Sequence, residues 1–155
     1  MGKAAIVYHS EHHGNTRKLL EAAAQTCPVD LLEEGEAQNA DLSQYEAVGF
    51  ASGIYMSKLH RSLYDFLNTH TAALSGKKSF VLYTSGSGNS KYAADFAKQL
   101  EHAGMEFLGT FSCKGFDTYG PFKFIGGISK GHPSQEDAAA AARFLKETVL
   151  TKLSK

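Results

Sequence analysis

Short apolar runs alternate along the chain with stretches in which apolar residues recur every three or four positions. Five runs have the length and polar flanks of buried strands, at residues 4–8, 29–32, 47–51, 80–83 and 105–111. The helical spacing predicts four helices, marked by Leu19, Leu20, Ala23 and Ala24; by Leu59, Leu63, Phe66 and Leu67; by Ala93, Phe96, Ala97 and Leu100; and by Phe144, Leu145, Val149 and Leu150. Ser134 and Asp137 form a capping-like pair that predicts the start of the last helix near residue 135.

Strands that alternate with helices indicate an α/β fold, in which helices cover both faces of a parallel sheet. Five strands is the size of the doubly wound sheet with the strand order 2-1-3-4-5. The 155 residues fit one domain, which we expect to span 1–155. In such a sheet a ligand binds at the carboxyl ends of the strands, where the order switches between the first and third strands. The loops after Tyr8, Ala51 and Tyr83 are therefore the expected site.

Composition and charge argue against several classes of protein. Lys plus Arg and Asp plus Glu number 16 each, so the charge balance does not point to a nucleic acid partner. Cys27 and Cys113 form no CxxC pair, which argues against an iron–sulfur cluster or a zinc ribbon. The first apolar run turns polar at His9, too soon for a signal peptide or a membrane span. We therefore expect a cytoplasmic protein with reduced cysteines and no integral membrane segment.

The loop after the first strand has the chemistry of a phosphate site. Ser10, Asn15 and Thr16 offer side-chain donors, and Gly14 allows the backbone to curl around an anion. The helix that follows adds free amides and the positive end of its dipole. The loop matches neither GxxxxGK[ST] nor GxGxxG. A polar turn in which Asn15 or Thr16 caps the helix would explain the same residues.

The pattern Ser-x-x-x-Gly-Asn-Thr directly after the first strand resembles the FMN phosphate loop of flavodoxins. Residues 51–55, Ala-Ser-Gly-Ile-Tyr, and residues 84–89, Thr-Ser-Gly-Ser-Gly-Asn, resemble the second and third flavin loops of that family. The late segment 114–121, followed by Gly126-Gly127 and by residues 130–133, resembles a subgroup of single-domain flavodoxin-like proteins from anaerobes. The resemblance covers nearly the whole chain.

The resemblance implies a flavodoxin-like three-layer sandwich that binds FMN and shuttles electrons between redox proteins. It places Ser10, Glu11, His12, His13, Gly14, Asn15 and Thr16 around the phosphate, and Ser52, Gly53, Ile54, Tyr55, Met56, Thr84, Ser85, Gly86, Ser87, Gly88 and Asn89 around the isoalloxazine ring. The family often has a tryptophan in the second loop; this chain has none, so Tyr55 is the candidate to lie against the ring, ahead of Tyr92 and Tyr119. No catalytic set is expected, because the chemistry belongs to the cofactor.

Other functions fit parts of the same sequence. Residues 45–55, with Leu59, His60 and Phe66, also resemble flavodoxin-like protoporphyrinogen oxidases, and a flavin-dependent quinone reductase is a second enzymatic alternative. A flavin-free interaction module is a third. A phosphoacceptor receiver domain shares the architecture, but the acidic residues expected at the end of its first strand are missing. His9, Glu11, His12 and His13 offer metal-ligand atoms, but a closed site would need ligands from elsewhere, so we expect no metal.

Two segments carry further expectations. His12 and His13 lie in a loop without lysine, so their protonation should tighten FMN binding as the pH falls from about 8 toward 6.5, an effect that riboflavin should not share. Segment 112–134 is a long connection with five glycines and several aromatic residues. We expect it to cover an edge of the sheet, with a short helix after Pro121; a cover or docking face beside the flavin is the alternative.

Overall fold

A parallel sheet forms the centre of the chain in the computed structural model, which describes residues 2–11, 14–87, 91–114 and 133–154. Its strands are β1 (Ala4–Tyr8), β2 (Val29–Glu33), β3 (Ala47–Tyr55), β4 (Lys58–Leu59), β5 (Lys78–Ser85) and β6 (Glu106–Lys114). Five of these strands run parallel in the order β2-β1-β3-β5-β6, and β4 pairs antiparallel with β3. The predicted order of five parallel strands is confirmed, with one short strand in addition.

Helices connect the strands and cover the sheet. They are α1 (Asn15–Ala24), α2 (Glu34–Ala37), α3 (Arg61–Thr69), α4 (Thr71–Leu74), α5 (Ala94–His102) and α6 (Gln135–Phe144). A 3-10 turn, Leu42–Gln44, precedes β3, and α6 continues through a wider π turn at Leu145–Val149 and a 3-10 turn at Leu150–Lys152. The four predicted helices are confirmed, except that Leu59, predicted as part of the second one, lies in β4 because the helix begins only at Arg61. The helices α2 and α4 have four residues each, too few to show a helical period in the sequence.

Each face of the sheet packs against helices and forms a separate apolar core. One core joins Val7, Phe50 and Tyr83 of the sheet to side chains of α3 and α5, namely Leu63, Phe66, Phe96 and Leu100. The other joins Ile6, Phe80 and Leu82 to side chains of α1 and the last helix, namely Leu19, Leu20, Leu145 and Val149. Successive strand residues enter opposite cores because their side chains alternate between the faces of the sheet. This confirms the predicted three-layer sandwich.

A close approach explains the glycine in the middle of β3. Gly49 pairs with Phe80 on the neighbouring strand β5. The Phe80 side chain is fully buried, and its ring occupies the space that a Cβ at position 49 would need. Position 49 therefore accepts no larger residue unless the ring or the strand moves.

The edge strand β6 contains a bulge that reverses its faces. Its pairing with β5 slips by one residue opposite Phe80. Before the bulge, Phe107 packs into the core formed with α3 and α5. Beyond the bulge, Phe111 and Cys113 pack into the core formed with α1 and α6. The strand also runs to Lys114, three residues past the end predicted from the sequence at position 111.

The first turn of α6 is closed by a capping box. Ser134 Oγ accepts a hydrogen bond from the Asp137 amide at 3.2 Å, and Asp137 Oδ2 accepts one from the Ser134 amide at 2.8 Å. This confirms the predicted capping pair. We expect Ser134→Ala to lower the free energy of unfolding by about 1 kcal/mol, measured by urea denaturation. An unchanged unfolding midpoint would show that the box does not stabilise the fold.

The long connection after the fifth parallel strand is described only at its ends. Residues 112–114 continue β6, and Pro133 and Ser134 precede α6. Residues 115–132, with Tyr119 and the helix expected after Pro121, lie outside the described residues. Cys27 is buried and donates to the carbonyl oxygen of Ala142, and Cys113 is half-buried; both thiols are free. None of the helices formed by the described residues is long and apolar enough to span a membrane.

Candidate functional site

Three neighbouring strands, β1, β3 and β5, bring their carboxyl ends to one edge of the sheet. Tyr8 pairs with Ala51, and Gly53 pairs with Thr84. The His9 amide then donates to the carbonyl oxygen of Ala51 at 3.0 Å. The segments that follow these three strands therefore lie side by side at the switch in strand order.

The segment after β1 leads into a helix whose N-cap is a glycine. Gly14 is the N-cap of α1 with φ of 66°, a backbone conformation that favours glycine, and it offers no side-chain cap of its own. Asn15 and Thr16 are buried first-turn residues, so the alternative in which one of them caps the helix is wrong. Ser10 Oγ accepts from the Arg17 amide at 3.1 Å, which leaves its own proton available to a ligand. The first turn of α1 contains no acidic residue.

Buried hydroxyl groups join the end of β5 to α1 and stabilise the segment after β3. Thr16 Oγ1 lies 3.3 Å from Thr84 Oγ1, and both residues are buried. Ser52, which is also buried, donates to the carbonyl oxygen of Gly53 at 2.6 Å and accepts from the His60 amide at 3.1 Å. The contact between Thr16 and Thr84 brings a candidate phosphate residue against a candidate ring residue.

The second candidate loop begins later than the sequence indicates. Ser52, Gly53, Ile54 and Tyr55 belong to β3, which continues because it gains β4 as an antiparallel partner. The turn between β3 and β4 has only two residues, Met56 and Ser57, with φ of 54° and 65°. Positive φ at both positions is typical of a type I′ hairpin turn. Met56 stands 93% exposed at the tip of this hairpin.

The third candidate loop is only partly described. Thr84 and Ser85 are the last residues of β5 rather than loop residues, and Gly86 and Ser87 follow them. Ser87 Oγ lies 3.2 Å from the Tyr92 hydroxyl oxygen. Gly88 and Asn89 lie outside the described residues, as do His12 and His13 of the first loop.

A cluster of histidine and carboxylate side chains joins the first and second segments. His9 Nδ1 lies 2.6 Å from Glu34 Oε1, and His9 Nε2 lies 3.2 Å from Glu11 Oε2. His60 stacks on His9, with ring centroids 3.5 Å apart and planes at 10°. Tyr55 presents an edge to the His60 ring at 4.8 Å and hydrogen-bonds Glu11. We call Glu34, His9, Glu11, His60 and Tyr55 the histidine clasp.

The charges of the histidine clasp are mutually dependent. Burial lowers the pKa of His9, but the hydrogen bonds and negative charges of Glu34 and Glu11 outweigh burial, so the pKa lies above its ordinary 6.5. The bond from His9 lowers the pKa of Glu11. Burial and the neighbouring charge of His9 lower the pKa of His60. Burial and the Glu11 carboxylate raise the pKa of Tyr55. The favoured state is therefore a charged His9 stacked on a neutral His60.

The structure brings His60 to two of the residues considered as metal ligands. Ligand atoms of His9, Glu11 and His60 lie within 4.8 Å of one another. An imidazole binds an ion in its own plane, along the nitrogen lone pair. Two nearly parallel rings with centroids 3.5 Å apart cannot both point at one ion. The stacked arrangement is therefore suited to hydrogen bonding and charge pairing rather than to chelation by both histidines.

The sequence singles out residues 10–16 as the candidate phosphate loop, but it does not indicate the contacts that Glu34 and His60 make with His9. Glu34 lies 25 positions from His9, and no motif relates the two. In the sequence, Leu59 and His60 stand out only because residues 45–66 resemble flavodoxin-like protoporphyrinogen oxidases. The sequence gives only one local signal of the contact between His9 and Glu34. A histidine follows one strand, and a carboxylate follows the next parallel strand.

Known proteins share this fold and this length. The flavodoxin domain family model matches residues 5–115. An uncharacterized protein of Methanocaldococcus jannaschii is 36% identical over 146 residues, which cover 93% of this chain and 96% of that protein. The oxidised flavodoxin 1 of Bacillus cereus superposes with a TM-score of 0.66 at 18% identity, over 99% of this chain and 100% of that one. A general stress protein 14 of Treponema denticola in complex with FMN superposes with a TM-score of 0.61 at 11% identity, over 91% and 94% of the two chains.

Proposed function

Because this chain belongs to the flavodoxin family, we propose that it binds one FMN without a covalent bond and uses it to pass electrons between redox partners. The observation that carries the proposal is the start of α1, where the N-cap Gly14 has no side chain, beside the ends of β1, β3 and β5. Bound FMN would supply the redox chemistry, and the protein would supply binding, orientation and electrostatics.

The phosphate end of FMN fits the described residues. Gly14 provides no side-chain cap at the start of α1, where Ser10 Oγ accepts from the Arg17 amide, and the helix dipole favours an anion there. A Cβ at Gly14 would meet no atom within 4 Å, so a ligand can approach the backbone closely. Glu11 is the one carboxylate in the loop sequence, and its charge is paired with His9. Ser10, Asn15 and Thr16 would hold the phosphate oxygens.

The isoalloxazine end of FMN fits the residues at the ends of β3 and β5. Ser52, Gly53 and Ile54 lie at the end of β3, and Thr84 and Ser85 lie beside them at the end of β5. Their backbone groups would approach the polar edge of the isoalloxazine ring, and Tyr55 would lie nearest to it among the tyrosines. The likeness to a flavodoxin over 99% of this chain supports an electron carrier as the role.

The absorbance spectrum of the purified protein tests the cofactor. We expect yellow protein with flavin bands, and release of FMN rather than FAD, because the start of α1 suits a terminal phosphate. The released cofactor is identified by chromatography against FMN, FAD and riboflavin. Protein that stays colourless after incubation with excess FMN would overturn the proposal.

Turnover assays test the role. Reduced protein is mixed with a quinone and, separately, with a porphyrinogen, and the rate of flavin reoxidation or product formation is followed. A carrier should react slowly and without selectivity, whereas it should exchange electrons rapidly with a redox protein. Rapid, saturable turnover of either small molecule would instead identify a flavin-dependent oxidoreductase.

A further inference from the structure

The histidine clasp draws its members from four different elements around the candidate flavin site. His9 and Glu11 follow β1, Glu34 is the first residue of α2, Tyr55 ends β3, and His60 precedes α3. His9, Glu11 and Glu34 follow strands on the β2 side of β3, Tyr55 belongs to β3, and His60 stacks on His9, whereas the third candidate loop follows β5 on the opposite side of β3. The clasp therefore connects Tyr55 and His60, at the second loop, to His9 and Glu11, at the phosphate loop.

Hydrogen bonds fix where the protons of the clasp lie. The Ser62 amide donates to His60 Nδ1 at 3.1 Å, so that nitrogen is unprotonated and the ring proton sits on Nε2. His60 Nε2 in turn lies 4.0 Å from Glu11 Oε2. Both nitrogens of His9 lie against carboxylates, Nδ1 in a hydrogen bond with Glu34 and the buried Nε2 in a charge contact with Glu11 that does not have hydrogen-bond geometry. An imidazolium is attracted to both carboxylates, whereas a neutral imidazole can donate to only one.

Charge also favours the imidazolium. Among the described residues, His9 is the single ion-pair partner of Glu34, whose Oε2 is buried with no hydrogen-bond partner. Glu11 is shared between His9 and His60, and the nearby Arg17 is engaged by Glu33 at 2.8 Å. Arg61 acts on His60 from the start of α3. A neutral His9 would leave Glu34 without an ion-pair partner among the described residues and would remove the nearer of the two imidazoles that face Glu11 as a positive charge.

We propose that His9 is a positioning residue for the flavin: its imidazolium ties the phosphate loop to the second loop, and so fixes how tightly the isoalloxazine ring is held. This inference rests on the proposed binding of FMN. When His9 loses its proton, Glu11 loses its ion pair with His9 and keeps its contacts with Tyr55 and His60, so the two loops are held together less firmly. Binding must then order the loops, which weakens affinity for any flavin.

The direction of the pH effect follows from the shifts. The pKa of His9 is raised above 6.5, so the contribution of its charged form is complete below that value and is lost as the pH rises through the raised pKa. The pKa of Glu11 is lowered from 4.5, so its contribution is complete above 4.5 and is lost as the pH falls through the lowered pKa. The pKa of His60 is lowered from 6.5, so stability from its neutral form declines below 6.5. Affinity should therefore fall on the alkaline side of about 6.5 because of His9.

Riboflavin separates this effect from the one expected for His12 and His13. It lacks the phosphate, so histidines that grip the phosphate cannot alter its affinity, whereas the clasp acts on the ring. The experiment measures riboflavin affinity at pH 6.5 and pH 8.5, by quenching of flavin fluorescence, for wild type and His9→Asn. His102→Asn is the matched control, since His102 is exposed at the end of α5 and far along the chain from both loops.

We expect wild-type affinity to fall by about tenfold between the two pH values, the size of one lost charge-assisted hydrogen bond. His9→Asn should bind at both pH values as weakly as wild type does at pH 8.5, and His102→Asn should match wild type. Glu11→Gln removes the linking carboxylate without changing His9, and should likewise reduce the pH dependence if His9→Asn fails to fold. A flat wild-type profile, or an unchanged slope in a folded His9→Asn or Glu11→Gln variant, would overturn the inference alone. Failure of the wild type to bind FMN or riboflavin at either pH would overturn the proposed function as well.

Discussion

Thr16→Val weakens FMN binding by about 10- to 100-fold and leaves riboflavin affinity nearly unchanged, if the start of α1 holds the phosphate. The substitution removes one hydroxyl group and keeps the shape of a buried side chain. A hydrogen bond to a charged phosphate contributes about 1.5–3 kcal/mol, which corresponds to this range of affinity. Asn15→Ala should have the same selectivity for FMN. Fluorescence titration of the apoprotein with each flavin measures both affinities.

Thr26→Val is the matched control for this prediction. Thr26 is an exposed threonine just after α1, and its hydroxyl donates to the carbonyl oxygen of Ala23. The control should leave the affinities for both flavins unchanged. Because Thr16 Oγ1 also lies 3.3 Å from Thr84 Oγ1, riboflavin reports any disturbance of the ring side. Equal weakening of FMN and riboflavin by Thr16→Val would show that the phosphate binds elsewhere.

Gly49→Ala is expected to lower the free energy of unfolding by about 3 kcal/mol, the upper end of the usual cost of overpacking a core. The new methyl group would occupy the space of the Phe80 ring, which is buried between the sheet and the last helix. Neither the Phe80 ring nor the backbone of β3 can move freely, because Gly49 lies in the middle of β3 with paired strands on both sides. Urea denaturation of the two proteins measures the difference.

A double mutant identifies the cause of this loss. Phe80→Leu alone should destabilise the protein by leaving a cavity. In the Gly49→Ala, Phe80→Leu variant the smaller side chain makes room for the methyl group, so the two losses should sum to more than the loss in the double mutant. Strictly additive losses would mean that the methyl group clashes with the backbone rather than with the ring.

The sequence was sufficient to predict the order of the sheet. Each of its five parallel strands is an apolar run, and stretches with helical periodicity separate these runs. It was insufficient for β4. Strand β4 has two residues, and the turn before it, Met56-Ser57, lacks the Asn-Gly or Asp-Gly signature of a type I′ hairpin. For the same reason β3 was predicted to end at Ala51, four residues before its observed end at Tyr55. Local patterns cannot indicate a partner strand that has no pattern of its own.

The candidate site also has two parts: a contiguous sequence motif, and contacts that only the fold brings together. Residues 10–16 carry their chemistry in a contiguous motif, so they could be proposed as a phosphate loop from the sequence. The histidine clasp is a product of the fold, since His9 meets Glu34 across parallel strands and meets His60 across a hairpin. The contact between Thr16 and Thr84, 68 positions apart, is likewise set by the pairing of strands. Such contacts follow from the strand register, which the sequence pattern does not specify.

The bulge in β6 has a consequence for the lengths that this strand can tolerate. Beyond the bulge, each residue faces the core opposite to the one that simple alternation from Phe107 would give it. Deletion of a single residue at this point would remove the bulge, restore strict alternation and leave Phe111 and Cys113 on their present side of the sheet. Deletion of two residues would instead send both side chains to the opposite side. At this edge, loss of the one extra residue should therefore damage the fold less than loss of two.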